Sequence, residues 1–298
     1  MAEALKVIVE EKSQLGEGCV WHCEKNLLYW VDINGQKLHI YNPKDKSNKT
    51  INLGVFVGCV VPRQSGGLVL ALHNGFVGFD LETETYTYLV DPESHLPFNR
   101  FNDGKCDPSG RFLAGTMAID ESPHQGTLYS LDTDLSIKHL QRNISVSNGL
   151  GWSPDYQTMY FIDSPTKNIF AFDYNLDTGT INNRSVAVTI PDGFVDGRSG
   201  GWPDGMTVDE EGMIWVALWA GYKVTRWNPK TGELLQIIDI PAPNVTCCTF
   251  GGENLDELYI TTARQDMDQS LLERYPQAGS VFKIKTSVKG MKTFEFRG

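Results

Sequence analysis

The 298-residue sequence has no apolar run close to the ~20 residues that a membrane-spanning helix needs. Its first twelve residues are polar and lack the apolar stretch of a secretory signal peptide. Positive charge is also scarce: 26 Lys and Arg residues stand against 37 Asp and Glu residues, which gives a formal net charge of -11. Nucleic acid or an anionic membrane would require a basic face. We therefore expect neither as a partner, and we expect a cytoplasmic protein.

The six cysteines form no CxxC pair and lack the spacing of a disulfide framework. We expect free thiols, most of them buried as small hydrophobic residues. The six histidines lack the spacing of zinc ligands, and no phosphate-binding glycine loop is present. These absences argue against a disulfide-stabilised domain, a histidine zinc centre and a nucleotide-binding loop.

An activated serine is also missing. Residues 197–201 read Gly-Arg-Ser-Gly-Gly, which has the letters of the hydrolase nucleophile elbow. That motif works only on a turn from a strand into a helix. The Trp-Pro-Asp-Gly sequence at 202–205 does not begin a helix, so we reject this interpretation.

Helical periodicity is absent from every stretch of ten or more residues, and only 266–275 is expected to hold a short helical turn. The chain has 29 glycines and 11% aromatic residues, which favours many short strands joined by turns. Apolar segments such as 68–72 and 168–173 run into turns rich in Asn, Asp and Gly. The sequence therefore predicts an all-β fold.

A repeated unit organises these strands, and each unit begins with a polar or small residue ahead of an aromatic-bearing strand. The opening positions are Glu17, Val57, Asn102, Asn148, Asp204 and Thr246. Units of about fifty residues match four-stranded propeller blades. We predict a six-bladed β-propeller with four antiparallel strands per blade, forming a single domain over residues 1–298. The alternative, two stacked β-sandwiches, would need a linker near residue 150, and none is visible.

Ring closure is expected to involve the amino terminus. Residues 5–10 would pair with a strand at 281–284 or at 293–296. Such pairing removes two exposed strand edges.

Residues that open successive inner strands of a propeller point at a common axis. Glu17 and Asp204 would bring two carboxylates there, with Asn102, Asp103 and Asn148 nearby. Oxygen ligands without thiols or imidazoles suit a hard cation, and a cation would relieve the repulsion between the carboxylates. The alternative is that these Asx-Gly pairs only shape turns, but their common register favours a site.

Arg100 lies just before the inner strand that carries Asn102. There it would stand beside the cation cluster, able to bind substrate oxygens with its forked guanidinium. A surface ion pair is the alternative.

Several ordered motifs now resemble one family. They are the segments 99–105, 107–111, 114–117, 147–149, 160–164, 203–205, 250–252 and 258–261. From residue 16 to residue 290 the chain resembles the SMP-30/gluconolactonase family of regucalcin-like sugar lactonases. The resemblance implies a six-bladed propeller that binds one divalent cation at the channel mouth and hydrolyses sugar lactones.

Carried over by motif, the resemblance implies metal binding by Glu17, Asn148 and Asp204. It implies substrate binding by Arg100 and Asn102. A further substrate carboxylate falls just after the Gly-Thr-Met motif, at Asp120 or Glu121. The chain departs from the family pattern in a short lid at 118–126 and a long, glycine-rich loop at 191–202.

The predicted function is metal-dependent opening of sugar lactones such as gluconolactone. The cation would polarise the carbonyl, and Asp204 would take the proton from the attacking water. Oxygen ligands favour Ca²⁺, with Mg²⁺, Mn²⁺ and Zn²⁺ left open. The alternatives are a calcium-binding regulator, a hydrolase of organophosphates or other esters, and a propeller that only binds partners.

Overall fold

The structure, a computed structural model, describes residues 4–194 and 199–298. Strand β1 (Lys6–Val9) comes first along the chain. Blade 1 follows with β2 (Gly16–His22), β3 (Leu27–Asp32), β4 (Lys37–Asn42) and β5 (Ser47–Asn52). Blade 2 contains β6 (Val57–Pro62), β7 (Leu68–Leu72), β8 (Gly75–Asp80) and β9 (Thr85–Val90). Blade 3 contains β10 (Asn99–Cys106), β11 (Phe112–Ala118), β12 (Gly126–Leu131) and β13 (Ile137–Ile144).

The second half repeats this arrangement. Blade 4 contains β14 (Ser147–Trp152), β15 (Thr158–Asp163), β16 (Asn168–Asn175) and β17 (Thr180–Thr189). Blade 5 contains β18 (Trp202–Val208), β19 (Ile214–Trp219), β20 (Lys223–Asn228) and β21 (Glu233–Asp239). Blade 6 contains β22 (Asn244–Gly251), β23 (Glu257–Ala263), β24 (Val281–Lys285) and the returning β1. A 3-10 turn at Ser164–Thr166 and helix α1 (Gln269–Arg274) lie in connections.

The six sheets close into a ring. The first strand of each blade contacts the first strand of the next, and β22 contacts β2. The described residues therefore form a six-bladed β-propeller with four antiparallel strands per blade, which confirms the predicted fold and excludes the two-sandwich alternative. All six opening positions lie in the innermost strands.

The amino terminus seals the ring. Strand β1 pairs antiparallel with β24, with Lys6 opposite Lys283 and Val9 opposite Val281. This confirms the first of the two predicted pairings. The alternative partner, 293–296, instead runs beside blade 2, where Phe296 forms a parallel bridge with Arg63.

Each inner strand is irregular at the same place. All six shift register near their first residues, for example between Glu17 and Val20 and between Pro203 and Met206. A bulge bends a strand and redirects a side chain. The bulges therefore act where the opening residues enter the channel.

Glycine after the polar residue permits close packing of neighbouring blades. A Cβ on Gly205 would lie 2.6 Å from Cys247 Sγ and 2.8 Å from its Cα. A Cβ on Gly104 would lie 2.7 Å from Cys59 Sγ. The repeated polar-Gly pair thus serves two purposes, since the first residue faces the site and the second lets the next inner strand approach.

Large aromatic side chains fill the space between blades. Tyr29, Trp30, Trp215 and Tyr259 lie on the second strands of their blades and are almost completely buried. Trp215 packs edge-on against Phe250 of the next blade, with the ring centroids 5.7 Å apart. Each such burial is worth roughly 1.5–3 kcal/mol.

Three smaller expectations are also met. All six cysteines are free and five are buried, with Cys23 partly exposed. Helix α1 lies within 266–275 and is capped at its N-terminus by Asp268, whose side chain accepts a hydrogen bond from Leu271 N at 2.8 Å. The nucleophile-elbow letters at 197–201 lie partly outside the described residues. The residues that follow them form strand β18 and not the helix that the motif needs. Among the described residues, no helix combines the length and apolarity needed to cross a membrane.

Candidate active site

A cavity of about 280 Å³ opens where the inner strands begin. Pockets for drug-sized ligands measure roughly 300–1,000 Å³, so this cavity suits a compact ligand such as a single ring with short substituents. Its lining residues are Leu15, Glu17, Arg100, Asn102, Met117, Glu121, Val146, Asn148, Ser164, Pro165, Trp202, Asp204, Trp219 and Gln265.

The predicted site residues therefore meet in one place, with one exception. Glu17, Asn148 and Asp204 come from β2, β14 and β18 and line the cavity together. Arg100 and Asn102, both on β10, line it as well. The exception is Asp120.

Three buried carboxyl groups lie together at the cavity floor, where Glu17 and Asp204 line the cavity and Asp103 stands beside them. Glu17, Asp103 and Asp204 are each at most 5% exposed. Burial, with the neighbouring Asp103 charge, raises the pKa of Glu17 to about 8. Burial, with the Glu17 charge, raises the pKa of Asp204 well above its usual range. Without a compensating cation this cluster is therefore electrostatically unfavourable.

One oxygen of the cluster has no partner within the protein. Asp204 Oδ1 is buried and accepts no hydrogen bond. An unsatisfied buried acceptor is costly unless a ligand or ion meets it. Glu17, Asn148 and Asp204 together offer two carboxylates and an amide oxygen, which is the donor chemistry of a hard divalent cation. Within residues 4–194 and 199–298, no three His, Cys, Asp or Glu side chains form a metal-binding group, so a cation here would depend on the Asn148 amide as well.

The amide of Asn102 is committed to its neighbours. Its Nδ2 donates to Ser147 O and to Asn148 Oδ1, both at 2.9 Å. Its Oδ1 accepts a hydrogen bond from Arg100 Nη1 at 2.6 Å. Both amide hydrogens are therefore used within the protein, and Asn102 holds the carbonyl oxygen of Asn148 in a defined orientation.

Ser164 completes this network and was not identified from sequence. Asn148 Nδ2 donates to Ser164 Oγ at 2.7 Å, and Ser164 Oγ donates to Pro203 O at 2.6 Å. Pro203 directly precedes Asp204. The serine thus ties the Asn148 amide to the strand that carries Asp204. Its only sequence signal is its position at the end of the 160–164 motif.

Arg100 is a buried cavity residue rather than part of a surface ion pair. It is 8% exposed. Burial lowers the pKa of its guanidinium to about 10, while the charges of Glu17, Glu121 and Asp204 oppose that shift. Arg100 therefore stays protonated at neutral pH and supplies the positive charge of the cavity.

The two carboxylates of the lid, Glu121 and Asp120, differ in their position relative to the cavity. Glu121 lines the cavity, and its backbone adopts a left-handed conformation with φ of 59°. Asp120 is exposed and is not among the lining residues; its Oδ1 accepts the N–H of Ser122 at 3.0 Å. Of the two candidates left open by the sequence, Glu121 alone is positioned to face a ligand. Loop 191–202, the other segment in which the chain departs from the family pattern, lies partly outside the described residues.

Fold and site together define a six-bladed propeller with a cavity lined by buried carboxyl groups where its inner strands begin. The protein-family model for the SMP-30/Gluconolactonase/LRE-like region matches residues 15–264 of this chain. Regucalcin of Danio rerio is 39% identical over 297 residues, 99% of this chain and 98% of the relative. The putative sugar lactone lactonase YvrE of Bacillus subtilis is 36% identical over 289 residues, 97% of each chain. The chain belongs to the SMP-30/gluconolactonase family.

Solved structures agree with this assignment. A luciferin-regenerating enzyme superposes with a TM-score of 0.90 at 33% identity, covering 99% of each chain. Regucalcin of Agrobacterium tumefaciens, described as a calcium-binding protein, superposes with a TM-score of 0.92 at 27% identity, covering 99% of this chain and 98% of that one. The family therefore contains proteins named for lactone hydrolysis and for calcium binding.

Proposed function

We propose that this protein is a metal-dependent hydrolase that opens sugar lactones. The observation that carries the proposal is the buried, unpartnered Asp204 Oδ1, which lies with Glu17 and Asn148 on the floor of a ligand-sized cavity. The name of YvrE, a putative sugar lactone lactonase, supports the choice of substrate. Water would add to the lactone carbonyl and the ring C–O bond would break, giving a hydroxy acid.

Glu17, Asn148 and Asp204 would hold one divalent ion, with Ca²⁺ favoured by the all-oxygen donor set. When bound, such an ion supplies Lewis acidity toward the carbonyl oxygen and makes water more acidic. Mg²⁺, Mn²⁺ and Zn²⁺ remain alternatives, since each accepts carboxylate oxygen. The Asn102 contact would keep the Asn148 oxygen directed at the ion.

Asp204 would act as the general base and later as the general acid. Its carboxylate takes a proton from the attacking water and returns it to the ring oxygen as that oxygen leaves. The sequence offers no nucleophile elbow, which agrees with direct water attack, in which no covalent intermediate forms.

Arg100 and Glu121 would orient the substrate from the other side of the cavity. The guanidinium donates to hydroxyl or carbonyl oxygens, and the Glu121 carboxylate accepts hydroxyl hydrogens. We assign Asn102 to positioning Asn148 because its two amide hydrogens are already used. Asp120 would shape the lid turn through Ser122 instead of binding substrate.

A second candidate is a calcium-binding regulator without essential catalysis. The description of the Agrobacterium relative as a calcium-binding protein favours it. The same three ligands would serve a hydrolase of organophosphates or other esters, although Arg100 and Glu121 favour a substrate that carries hydroxyl groups on the edge facing them.

The test is a screen of aldonolactones with a pH indicator. Protein stripped with a chelator is assayed alone and after addition of Ca²⁺, Mg²⁺, Mn²⁺ or Zn²⁺. We expect hydrolysis to vanish on stripping and to return with at least one metal. Turnover that persists in the chelator would refute metal dependence, and metal binding without turnover of any lactone would favour the regulator.

A further inference from the structure

Part of the cavity lining is apolar, in contrast to the charged floor. Trp202 and Trp219 form one wall, and Leu15, Met117, Val146 and Pro165 line the cavity from other blades. The two tryptophans are cross-strand partners on β18 and β19. Trp202 is 44% exposed, although tryptophan is on average a well-buried residue. An exposed aromatic ring in a cavity wall is surface that a ligand can cover.

This wall is built into the fold. Lys167 Nζ lies 5.3 Å from the centroid of the Trp202 ring, and it pairs with Asp192 at 2.5 Å. Gly201 precedes Trp202 with φ of +66°, and a Cβ there would lie 2.4 Å from Trp219 O. The backbone thus brings Trp202 directly beside β19. Trp219 packs in part on the core cluster that contains Leu15.

The polar side of the cavity can satisfy few substrate hydroxyls. Both amide hydrogens of Asn102 are used, and Ser164 Oγ already accepts from Asn148 and donates to Pro203. Gln265 Oε1 already accepts from Asn34. Arg100, Glu121 and an amide N–H group of Gln265 therefore remain to meet hydroxyls. A ring hydroxylated on every side would press some hydroxyls against the tryptophan wall, where their hydrogen bonds to water would have no replacement.

We propose that the preferred substrate is an amphiphilic lactone that carries an alkyl or aryl substituent, and that Trp202 and Trp219 bind this apolar group. The inference rests on the proposed lactone hydrolysis and shifts the preferred substrate from a fully hydroxylated sugar lactone to a lactone with one hydroxylated edge and one apolar substituent. The lactone carbonyl lies at the acidic floor, its polar edge faces Arg100 and Glu121, and its apolar group covers the indole surface. Trp202 is the specificity-determining residue because it is the more exposed of the pair.

The first test compares three lactones of similar ring chemistry with the metal-loaded protein. δ-Nonalactone carries a butyl group, δ-valerolactone carries no substituent, and glucono-δ-lactone is hydroxylated throughout. We expect kcat/KM for δ-nonalactone to exceed that for δ-valerolactone by about tenfold or more, since a single additional methylene in an apolar pocket already changes kcat/KM by ~10–200-fold.

Substitutions of Trp202 test whether this residue causes the preference for δ-nonalactone. Trp202→Ser should remove most of the preference by raising KM for δ-nonalactone, whereas Trp202→Phe should keep most of it. Tyr88→Ser is the matched control because Tyr88 is an exposed aromatic residue on the outer strand β9. An equal decrease in kcat/KM for all three lactones in Trp202→Ser, or a larger decrease for glucono-δ-lactone, would overturn the proposal in favour of a platform for a sugar ring.

A binding measurement separates this inference from the proposed function. 6-Butylpiperidin-2-one and piperidin-2-one are the lactam counterparts of δ-nonalactone and δ-valerolactone and resist hydrolysis. Tryptophan fluorescence should report tighter binding of the butyl lactam, and Trp202→Ser should abolish the difference. If no lactone is turned over but the butyl lactam still binds more tightly, hydrolysis fails and the apolar subsite stands. Equal binding of the two lactams refutes the subsite even when lactones are hydrolysed.

Discussion

The Asn102 amide donates to Asn148 Oδ1 at 2.9 Å, across the boundary between blades 3 and 4. The same amide donates to Ser147 O and accepts from Arg100. A residue that the family resemblance assigns to substrate binding therefore acts on a proposed metal ligand. Loss of a group that orients a metal ligand in this way typically lowers metal affinity by roughly 10–100-fold.

Replacement of Asn102 by alanine should weaken metal binding. Without the 2.9 Å hydrogen bond the Asn148 amide can rotate, so we expect the metal Kd of Asn102→Ala to rise by about 10–100-fold. Isothermal titration of the stripped protein measures this change. The control is Asn168→Ala, which removes a surface hydrogen bond to Thr189 Oγ1. An Asn102 variant with unchanged metal Kd and a raised KM would restore the substrate-binding role.

Replacement of Asp204 by asparagine should abolish turnover and change stability in opposite directions with and without metal. Loss of the general base and of a metal ligand should lower kcat by at least ~10²–10⁴-fold. In the chelated protein the variant should melt at a higher temperature than the wild type, because a buried carboxyl with a raised pKa has been removed.

With saturating metal the order should reverse, since only the wild type gains full binding energy from the ion. Melting curves in chelator and in Ca²⁺ provide the measurement. Glu233→Gln is the matched control, because it also replaces a carboxylate by an amide, but at an exposed position on β21. It should shift neither curve. An Asp204→Asn protein that is less stable than the wild type in chelator would contradict the electrostatic account.

Metal affinity should rise with pH. In the metal-free protein the pKa of Glu17 is raised to about 8, so below that pH a proton occupies the carboxyl that the ion needs. Each bound ion then displaces that proton, and the raised pKa of Asp204 adds to the effect, so the association constant should increase at least about tenfold per pH unit between pH 6 and 8. Titrations at several pH values test this, and Glu17→Gln should reduce the slope by the part that the Glu17 proton contributes. Affinity that is constant over this range would show that Glu17 is already ionised.

A methyl group at Gly205 should disturb the packing of β18 against the neighbouring inner strand β22. The alanine Cβ would meet Cys247 Cα at 2.8 Å, and backbone cannot yield as a flexible side chain can. We expect Gly205→Ala to lower the unfolding free energy by about 1–3 kcal/mol in urea titrations. Gly78→Ala is the control, because its nearest neighbour is Arg63 Nη1 at 3.3 Å, a movable side-chain end. Equal stability of the two variants would argue against close strand approach as the reason for the glycine.

The sequence predicts the frame of this protein well because the frame depends on local, repeated chemistry. Strand periodicity and turn residues recur at each blade, so the six opening positions could be placed in the inner strands, as the structure confirms. The partner of residues 5–10 could be narrowed to two segments, because an exposed strand edge must be covered, and one of them, 281–284, is the partner in the structure.

The lid and the amide network could not be predicted in this way. Asp120 and Glu121 are neighbours with the same charge, and only the left-handed turn at Glu121 decides which lines the cavity. The tryptophan wall depends on the pairing of Trp202 with Trp219 and on the cavity beside them, which no motif records.

The sequence by itself therefore determines the blades, the ring and which oxygen-bearing residues reach its axis, because strand and turn preferences act over a few residues and repeat. The tertiary structure decides which of those oxygens remain unpartnered. Asn102 and Asp204 open their inner strands in equivalent positions, yet the amide of one is bound by its neighbours and Oδ1 of the other is not. That difference arises from bulges and from the close approach of strands between blades, and these contacts exist only once the ring has closed.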